Sequence, residues 1–420
     1  MAKTQAVMGI DIGTNTIKIL TAKKDVETGK IVEVLFLRTI ESAGVQKGRV
    51  KSPQETGKKI AELVSAMEKQ KVPRAREIYV SINGNKLELI STKGLINVSQ
   101  AGGKISQEDI ERIYQGAKAV NLQSTNKEIL STFPKEWILD GEREIKDPLG
   151  LRGTRLELDA FLLSVLSSDT ESVMEAINQG GIDSEVILVP TILADTRSVL
   201  DSSKKELGVA LVSIGAGASS VAIFEEGNLL NLAVFPVGST NITNDIAIGF
   251  KTEIEIAEKI KKEYGSCLKN GTKKIEMDLS PFSEEKIQID PNNKKAKNKN
   301  VIVFSEKELN KIIEARVCEI FDLIDKEIKK VSKQGLLPGG IVLVGGGAKL
   351  PGIVELAKKE FNLPCRIGYV KNVPGIEKDC SFSTVCGLIM DDTEEPLEVE
   401  VSNGIGLGKK IMKIFKDFIP

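Results

Sequence analysis

The chain has 420 residues, with 58 Lys and Arg against 59 Asp and Glu, so its formal net charge is −1. It contains no histidine, which excludes Ser-His-Asp triads and histidine-ligated metals. The near-neutral charge and an aromatic content of 4% give no global case for a nucleic-acid partner, and we expect none. The 5 cysteines lack C-x-x-C spacing, which predicts reduced packing residues of a cytosolic protein.

Two further absences concern export and membranes. The N-terminal segment lacks the apolar core of a signal peptide, and no apolar run approaches the ~20 residues of a membrane-spanning helix. We therefore expect the body of the protein to be soluble and cytoplasmic. The length allows about two to four subdomains with cores of their own.

The first strand ends in a glycine turn. Residues 8–18 read Met-Gly-Ile-Asp-Ile-Gly-Thr-Asn-Thr-Ile-Lys, which predicts a hairpin whose backbone N–H groups form a nest for an anion. In such a nest Asp11 could hold a metal through water, and Lys18 could reach a phosphate as a point charge. A turn-stabilising aspartate and an exposed strand lysine are the competing interpretations. The candidate phosphate ligands are Asp11, Gly13, Thr14, Asn15, Thr16 and Lys18, and Asp11 is the candidate metal ligand.

An α/β half-domain follows, and a small insertion with a different pattern of predicted elements interrupts it. Apolar spacing predicts a helix over 53–69 between strands at 31–37 and 77–82. Residues 83–163 predict a small α+β insertion in which nothing looks catalytic. Its predicted elements are strands at 87–91 and 94–98, a helix from 106 to about 120, a strand pair within 129–139 and a strand at 156–165; helices at 168–180 and 190–203 and a strand at 184–189 come after it.

A second glycine turn repeats the first. Residues 212–219 read Val-Ser-Ile-Gly-Ala-Gly-Ala-Ser between two apolar strands. Aligning Gly13 with Gly215 places Asp11 on Ser213, and this internal repeat predicts two related halves that could close on one nucleotide. A glycine hairpin without a ligand is the competing interpretation. The candidate phosphate ligands in this turn are Gly215, Ala216, Gly217, Ala218 and Ser219.

The rest of the second half carries a third glycine turn and a helix of interest. Residues 341–347 run from an apolar strand into three glycines, which would let a nucleoside lie against the backbone. The helix predicted at 254–264 carries an acid and two lysines that could hold a ribose and cover a base, or form an ordinary solvent-facing pair. Residues 266–300 predict a solvated polar loop, and 305–332 predict a long helix. The candidate nucleoside ligands are Gly345, Gly346, Gly347, Glu258, Lys261 and Lys262.

The C-terminal segment combines an acidic tether with an amphipathic helix. Residues 391–404 are acidic, carry a proline and predict a flexible linker. From 405 to 420 apolar residues recur at spacings of three and four with lysines on the flanks, which predicts a helix that lies at a membrane interface. A helix docked on the protein's own core is the competing interpretation. The apolar face comprises Leu407, Ile411, Ile414, Phe415 and Phe418, and the basic flanks comprise Lys409, Lys410, Lys413 and Lys416.

Three glycine turns, each after an apolar strand, resemble those of the actin-like ATPase superfamily. Segments at 147–157, 235–252, 257–265 and 313–321 are similar to the FtsA family of bacterial cell-division proteins, and this resemblance covers nearly the whole chain. It implies an α/β, actin-like (ribonuclease H-like) two-lobed fold with a nucleotide cleft, a small α+β insertion and a C-terminal amphipathic helix. The implied domains are a first lobe at 1–82 that resumes at 164–196 and about 372–390, the insertion at 83–163, a second-lobe core at 197–237 and 331–371, an outer subdomain at 238–330, the linker at 391–404 and the helix at 405–420.

The resemblance also implies an adaptor function. FtsA-like proteins bind ATP with Mg²⁺ between the lobes, self-associate into filaments and attach the C-terminal tail of FtsZ to membrane lipid through the C-terminal helix. The implied location is the cytoplasmic face of the cell membrane at the division site, with the insertion serving polymer contacts and later division proteins. Arg316 stands where the family's helix carries an arginine that contacts the FtsZ tail; a plain surface arginine is the competing interpretation.

Three positions depart from the actin-like pattern. Ser213 and Ser220 occupy places where the second loop commonly carries Asp, and Val189 stands where several relatives carry an acid before the proline. We therefore expect the protein to bind ATP and to hydrolyse it very slowly at most. A sugar kinase or phosphatase of the same superfamily would need a catalytic carboxylate in the cleft, and the sequence offers no candidate. A PilM-like pilus-assembly protein is the second alternative, which residues 405–420 would distinguish.

Overall fold

The computed structural model describes residues 3–84, 86–99, 103–119, 126–268, 273–278, 301–331, 337–376 and 378–390. Most of the polar stretch at 266–300 and the whole linker at 391–404 lie outside these ranges. So does the predicted membrane helix with its residues Leu407, Lys409, Lys410, Ile411, Lys413, Ile414, Phe415, Lys416 and Phe418. In the part of the chain that is described, no helix combines the length and apolar character needed to cross a membrane.

The described elements are groups of strands interspersed with helices along the chain. The N-terminal half contains β1 (Thr4–Ile12), β2 (Thr16–Asp25), β3 (Ile31–Glu41), β4 (Val45–Gln46), β5 (Arg49–Val50), α1 (Pro53–Lys69), β6 (Glu77–Ile82), β7 (Glu88–Asn97), α2 (Gln107–Ala119), β8 (Lys127–Leu139), β9 (Glu142–Ile145), β10 (Arg155–Leu166), α3 (Ser167–Gln179), β11 (Ile187–Pro190), α4 (Thr191–Val199) and α5 (Ser202–Leu207). The C-terminal half contains β12 (Val209–Ile214), β13 (Ser219–Glu225), β14 (Asn228–Phe235), α6 (Ser239–Phe250), α7 (Ile254–Tyr264), β15 (Lys274–Asp278), β16 (Val301–Ser305), α8 (Glu306–Val331), β17 (Ile341–Val344), α9 (Ile353–Phe361), β18 (Cys365–Ile367) and α10 (Ser383–Ile389).

Two five-stranded sheets share one topology. The first has the order β3-β2-β1-β6-β11 and the second has the order β14-β13-β12-β17-β18. In each, an antiparallel hairpin is extended by parallel strands, with β6 beside β1 and β17 beside β12. The hairpin registers also correspond, because Asp11 lies opposite Lys18 and Ser213 lies opposite Ser220. The internal repeat predicted from the two glycine turns is therefore a repeat of whole half-domains.

The strand β12 is buried on both faces, which explains its uninterrupted apolar sequence. Leu211 faces a core that it shares with Ile10 of the first sheet and Leu163 of the insertion. Val212 faces a second core, which also contains Ile320 of the long helix α8. The glycine turn that follows β12 is consequently anchored between two hydrophobic cores.

The insertion forms a third sheet, of order β7-β10-β8-β9, with α2 packed on it. Two predictions about it are wrong. The strands predicted at 87–91 and 94–98 are the single strand β7, and Gly94 in its middle lies under Ile113 of α2. The strand pair predicted within 129–139 is the single strand β8, in which the pairing with β10 shifts by one residue at Pro134. A bulge accommodates the missing N–H of that proline without ending the strand.

The two five-stranded sheets are joined through α4, on which α10 packs. The single helix predicted over 190–203 is instead two helices, α4 and α5. The chain is extended at Asp201, whose carboxylate caps α5 by accepting the N–H of Lys204 at 3.1 Å and also accepts Lys371 Nζ at 2.6 Å. All residues of α10 are buried, and the α4–α10 pair forms the junction between the halves.

Candidate functional site at the paired glycine turns

The first turn is closed by its own backbone. Gly13 N–H donates to the Thr16 carbonyl at 3.0 Å, and the Asn15 carbonyl accepts Ser42 N–H at 3.0 Å. The hydroxyl oxygen of Thr14 accepts Gly48 N–H at 2.9 Å. Among the described residues, no backbone hydrogen bond uses the N–H groups of Thr14 and Asn15. These two donors therefore remain for a ligand.

The candidate metal ligand Asp11 is buried and paired with Lys18. Lys18 Nζ donates to Asp11 Oδ2 at 2.8 Å, and the hydroxyl of Ser81 donates to Asp11 Oδ1 at 3.2 Å. Lys18 is 9% exposed, so the interpretation as an exposed strand lysine is wrong. The ion pair holds the ammonium group of Lys18 beside the first turn, where it partly neutralises the carboxylate of Asp11.

The second turn supports the start of α6. Gly215 N–H donates to the Ala218 carbonyl at 2.9 Å. The carbonyls of Gly215 and Ala216 accept the N–H groups of Ser239 and Thr240, at 2.9 and 2.8 Å. Two donors of the helix N-terminus are thereby used inside the protein. Among the described residues, the N–H groups of Ala216 and Gly217 enter no backbone hydrogen bond. Ser219, at the start of β13, is buried.

The two turns touch each other. A Cβ atom added to Gly217 would stand 2.5 Å from Thr14 Oγ1 and 3.0 Å from the Cα atom of Lys47. One added to Gly48 would stand 3.2 Å from the Cβ atom of Ala218. The approach at Gly217 is open only to glycine, and at Gly48 the φ of +77° also favours glycine. The N–H groups of Thr14, Asn15, Ala216 and Gly217, which enter no backbone hydrogen bond among the described residues, therefore lie on two turns that are in contact.

The third turn contains two glycines that are closely packed and one that is not. Gly345 has φ +85° and donates its N–H to the Cys380 carbonyl at 3.0 Å. Added Cβ atoms would stand 2.6 Å from the Ile214 carbonyl at Gly345 and 2.4 Å from Ile214 Cγ2 at Gly347. At Gly346, by contrast, nothing lies within 4 Å of that position. Gly346 is thus the member of the turn that borders free space.

The three candidates on α7 form a network with α6. Buried Lys261 donates to Glu258 Oε2 at 2.6 Å, to the hydroxyl of Thr243 at 2.7 Å and to the Ser239 carbonyl at 3.1 Å. Lys262, which is exposed, lies 3.2 Å from Glu258 Oε1. Burial acts to raise the pKa of Glu258, but the hydrogen bonds from Lys261 and Thr243 hold that pKa below its ordinary value. Because Lys261 is buried, the interpretation of a solvent-facing pair is wrong for it.

Sequence reasoning missed Asp195, a fully buried carboxylate on α4. Its Oδ1 accepts the hydroxyls of Ser383 and Thr384, at 2.7 and 2.8 Å. Burial raises the pKa of Asp195 to about 6, while the hydrogen bonds from the hydroxyls of Ser383 and Thr384 act to lower it. The available signal was a lone acid inside the apolar run Thr-Ile-Leu-Ala-Asp-Thr.

Arg316 lies on α8 and is already engaged with a carboxylate. Its Nε and Nη2 donate to the two oxygens of Asp245 on α6, at 2.6 and 2.9 Å, and its Nη1 contacts Glu319. The hydrogen bond to Asp245 raises the pKa of the guanidinium, against the effect of burial. A quarter of the side chain remains exposed, so the bidentate fork is held in a fixed orientation at the surface.

Solved structures of similar fold come from two-lobed actin-like proteins. A chain of the PilM-PilN type IV pilus biogenesis complex matches with a TM-score of 0.58 at 15% identity, over 91% of this chain and 97% of that one. MreB5 of Spiroplasma citri bound to ADP matches with a TM-score of 0.52 at 12% identity, over 91% and 94%. With the duplicated sheets and paired turns, these likenesses define an actin-like fold.

Sequence comparison identifies a family within the actin-like fold. The profile described as "Cell division protein FtsA" matches residues 210–387, and the profile of the "SHS2 domain inserted in FTSA" matches 84–164. FtsA of Bacillus subtilis (strain 168) is 30% identical over 390 residues, which cover 93% of this chain and 84% of the relative. FtsA of Pseudomonas aeruginosa is 29% identical over 396 residues, covering 93% and 90%. The chain belongs to the FtsA family of cell division proteins.

Proposed function

We propose that this protein binds ATP with Mg²⁺ between its two glycine turns and forms filaments that tether FtsZ to the cytoplasmic face of the cell membrane at the division site. The observation that carries the proposal is the contact between the two turns, whose N–H groups at Thr14, Asn15, Ala216 and Gly217 enter no backbone hydrogen bond among the described residues. Such donors suit the oxygens of a polyphosphate. The domain boundaries implied by the family resemblance are part of this proposal.

The remaining site residues divide the nucleotide between them. Lys18 would contribute charge to a phosphate, and Asp11 would hold the hydrated metal, which supplies charge neutralisation between phosphates when bound. Gly346 would leave room for the nucleoside, and the helix with Glu258 and Lys262 would border the ribose and base. The fit rests on the fixed Asp11 carboxylate and on the open position at Gly346. MreB5 of Spiroplasma citri, of similar fold, is a protein solved with ADP.

We expect Gly346→Val to weaken ATP binding by about tenfold or more, because the new side chain would occupy the space proposed for the nucleoside. Titration calorimetry with ATP and Mg²⁺ measures the change. Gly116→Val is the matched control, since that glycine on α2 also has nothing within 4 Å of its Cβ position. Equal ATP affinity in the wild type and Gly346→Val would contradict the assignment of this turn.

The tether to FtsZ is proposed at Arg316. A guanidinium that is already ordered by Asp245 loses little freedom when it takes a carboxylate from a partner. The exposed part of the fork therefore suits an acidic or C-terminal peptide group. Insertion contacts with later division proteins and self-association complete the proposed set of partners.

Arg316→Glu should abolish the pull-down of FtsZ and of its tail peptide, because the reversed charge faces Asp245 and the partner alike. Lys329→Glu, an exposed charge reversal on the same helix, should leave the pull-down unchanged. Retained binding by Arg316→Glu would remove this residue from the interface. Absence of tail binding by the wild type would instead favour a pilus-assembly role, which is supported only by the similarity of fold.

A further inference from the structure

The tip of the hairpin β4–β5 contacts both glycine turns. The N–H of Gly48 donates to the hydroxyl oxygen of Thr14 in the first turn at 2.9 Å. In the second turn, a Cβ atom added to Gly217 would stand 3.0 Å from the Cα atom of Lys47. One added to Gly48 would stand 3.2 Å from the Cβ atom of Ala218. The tip therefore lies at the place where the turns of the two halves meet.

The backbone of this hairpin is held from its base to its tip. At the base, the carbonyl of Gly44 accepts the N–H groups of Lys51 and Ser52, at 2.7 and 3.0 Å. Beside the tip, Nε of Arg49 donates to the buried carboxylate of Asp169 on α3 at 2.7 Å. The tip consequently has a defined position relative to both glycine turns.

Lys47 adopts a backbone conformation that is unusual for its residue type. Its φ is +50° and that of Gly48 is +77°, so both residues of this two-residue turn are left-handed. Turns of this kind favour asparagine, aspartate and glycine, and a lysine in the first position carries strain that glycine would avoid. A glycine would give the same hairpin, so the feature that Lys47 adds is its ammonium group.

The ammonium group of Lys47 differs from the neighbouring cations in being unpaired. Lys18 is paired with Asp11, and Arg49 is paired with Asp169. Lys47 is exposed, and its side chain has no hydrogen-bond or ion-pair partner among the described residues. A lysine side chain extends roughly 6 Å from its Cα atom. An anion held by the N–H groups of the two turns would therefore lie within reach of Lys47.

The third glycine turn and the hairpin contact the second turn at different places. Gly345 and Gly347 pack on Ile214 at the end of β12, on the side where β17 pairs with that strand. The hairpin instead contacts Gly217 and Ala218, on the side that leads into β13. With the nucleoside at the third turn and the phosphates between the first two, the hairpin faces the end of the phosphate chain that is remote from the nucleoside.

We propose that Lys47 binds the terminal phosphate of ATP, so that the hairpin β4–β5 distinguishes a nucleoside triphosphate from a diphosphate. This inference rests on the proposed nucleotide binding. With a triphosphate bound, Nζ of Lys47 donates to oxygen atoms of the terminal phosphate in a charge-assisted hydrogen bond. With a diphosphate the ammonium group stays in solvent. The triphosphate thereby adds a contact to a hairpin that touches both halves of the protein.

The test compares the affinities for ATP and ADP, each with Mg²⁺, by titration calorimetry on the full chain. Lys47→Gln should weaken ATP binding by about tenfold or more and leave the ADP affinity within about threefold of the wild type, because only the triphosphate loses a charge-assisted hydrogen bond. Lys47→Arg keeps the charge and should retain most of the ATP affinity. Lys51→Gln, at another exposed lysine just after β5, is the matched control and should change neither affinity.

A second variant guards against a folding defect. Lys47→Gly suits the left-handed backbone, should fold at least as well as the wild type and should lose ATP affinity as Lys47→Gln does. An ATP affinity in this variant equal to that of the wild type overturns the inference. An equal loss for ATP and ADP also overturns it, because the terminal phosphate is then not the bound group. In both cases the wild type still binds ATP, whereas a wild type that binds neither nucleotide would overturn the proposed nucleotide function as well.

Discussion

Gly387→Ala is expected to lower the free energy of unfolding by about 3 kcal/mol or more. An added Cβ atom at Gly387 in α10 would stand 1.7 Å from the carbonyl oxygen of Ala194 in α4. Both partners are backbone or bound rigidly to it, so relief requires the two helices to separate. Separation would expose the apolar surface that joins the halves and would displace the Ser383–Asp195 hydrogen bond. Chemical denaturation of the full chain measures the loss.

The same substitution at Gly116 provides the contrast. Gly116 lies in α2, and nothing is within 4 Å of its Cβ position. Alanine there should stabilise the helix by about 0.5–1 kcal/mol, because it restricts the unfolded chain without a clash. If the two alanine variants changed the stability equally, the close approach of α4 and α10 would not be a determinant of the fold.

Deletion of residues 408–420 should abolish sedimentation of the protein with anionic lipid vesicles. The removed segment carries four of the five residues of the predicted apolar face and all four flanking lysines. Each lysine near anionic lipid contributes about 1 kcal/mol, and the apolar face adds burial in the interface. One short helix gives weak and reversible attachment, so filaments would be needed to make binding firm. Undiminished sedimentation of the truncated protein would contradict the membrane role.

Two substitutions separate the contributions of charge and burial. Replacing Ile411 and Phe415 by Asp should remove binding to anionic and neutral vesicles alike, because the spacing predicts both residues on the apolar face. Replacing Lys410 and Lys413 by Gln should weaken binding to anionic vesicles only, and added salt should reproduce that loss. A segment docked on the protein's own core would instead respond with a loss of thermal stability.

The duplicated part of the fold could be predicted because its determinants are local. A glycine turn between two apolar strands fixes a hairpin, and the spacing from Gly13 to Asp11 equals that from Gly215 to Ser213. The hairpin register follows from the turn, so the cross-strand pairs of both halves were implicit in the alignment. The actin-like class and the FtsA family followed from the same turns together with the longer segments around them.

The parts that escaped prediction depend on distant residues. The side chain of Asp195 is oriented by the packing of α10 on α4, which brings Ser383 from 188 positions away. No local pattern contains that contact. The ion pair of Lys18 with Asp11 required the burial of both side chains, which spacing alone does not show. At Pro134 the local rule for strand ends was overridden by pairing with β10, which retained the strand through a bulge.

The start of α6 on the second glycine turn has a mechanical consequence. The carbonyls of Gly215 and Ala216 hold the first N–H groups of the helix, and about 9 Å further along its axis Asp245 grips the guanidinium of Arg316. Hydrogen bonds hold the start of α6 on the turn, and an ion pair holds Arg316 on the same helix. The guanidinium of Arg316 therefore has a defined position relative to the second glycine turn, set by a single helix.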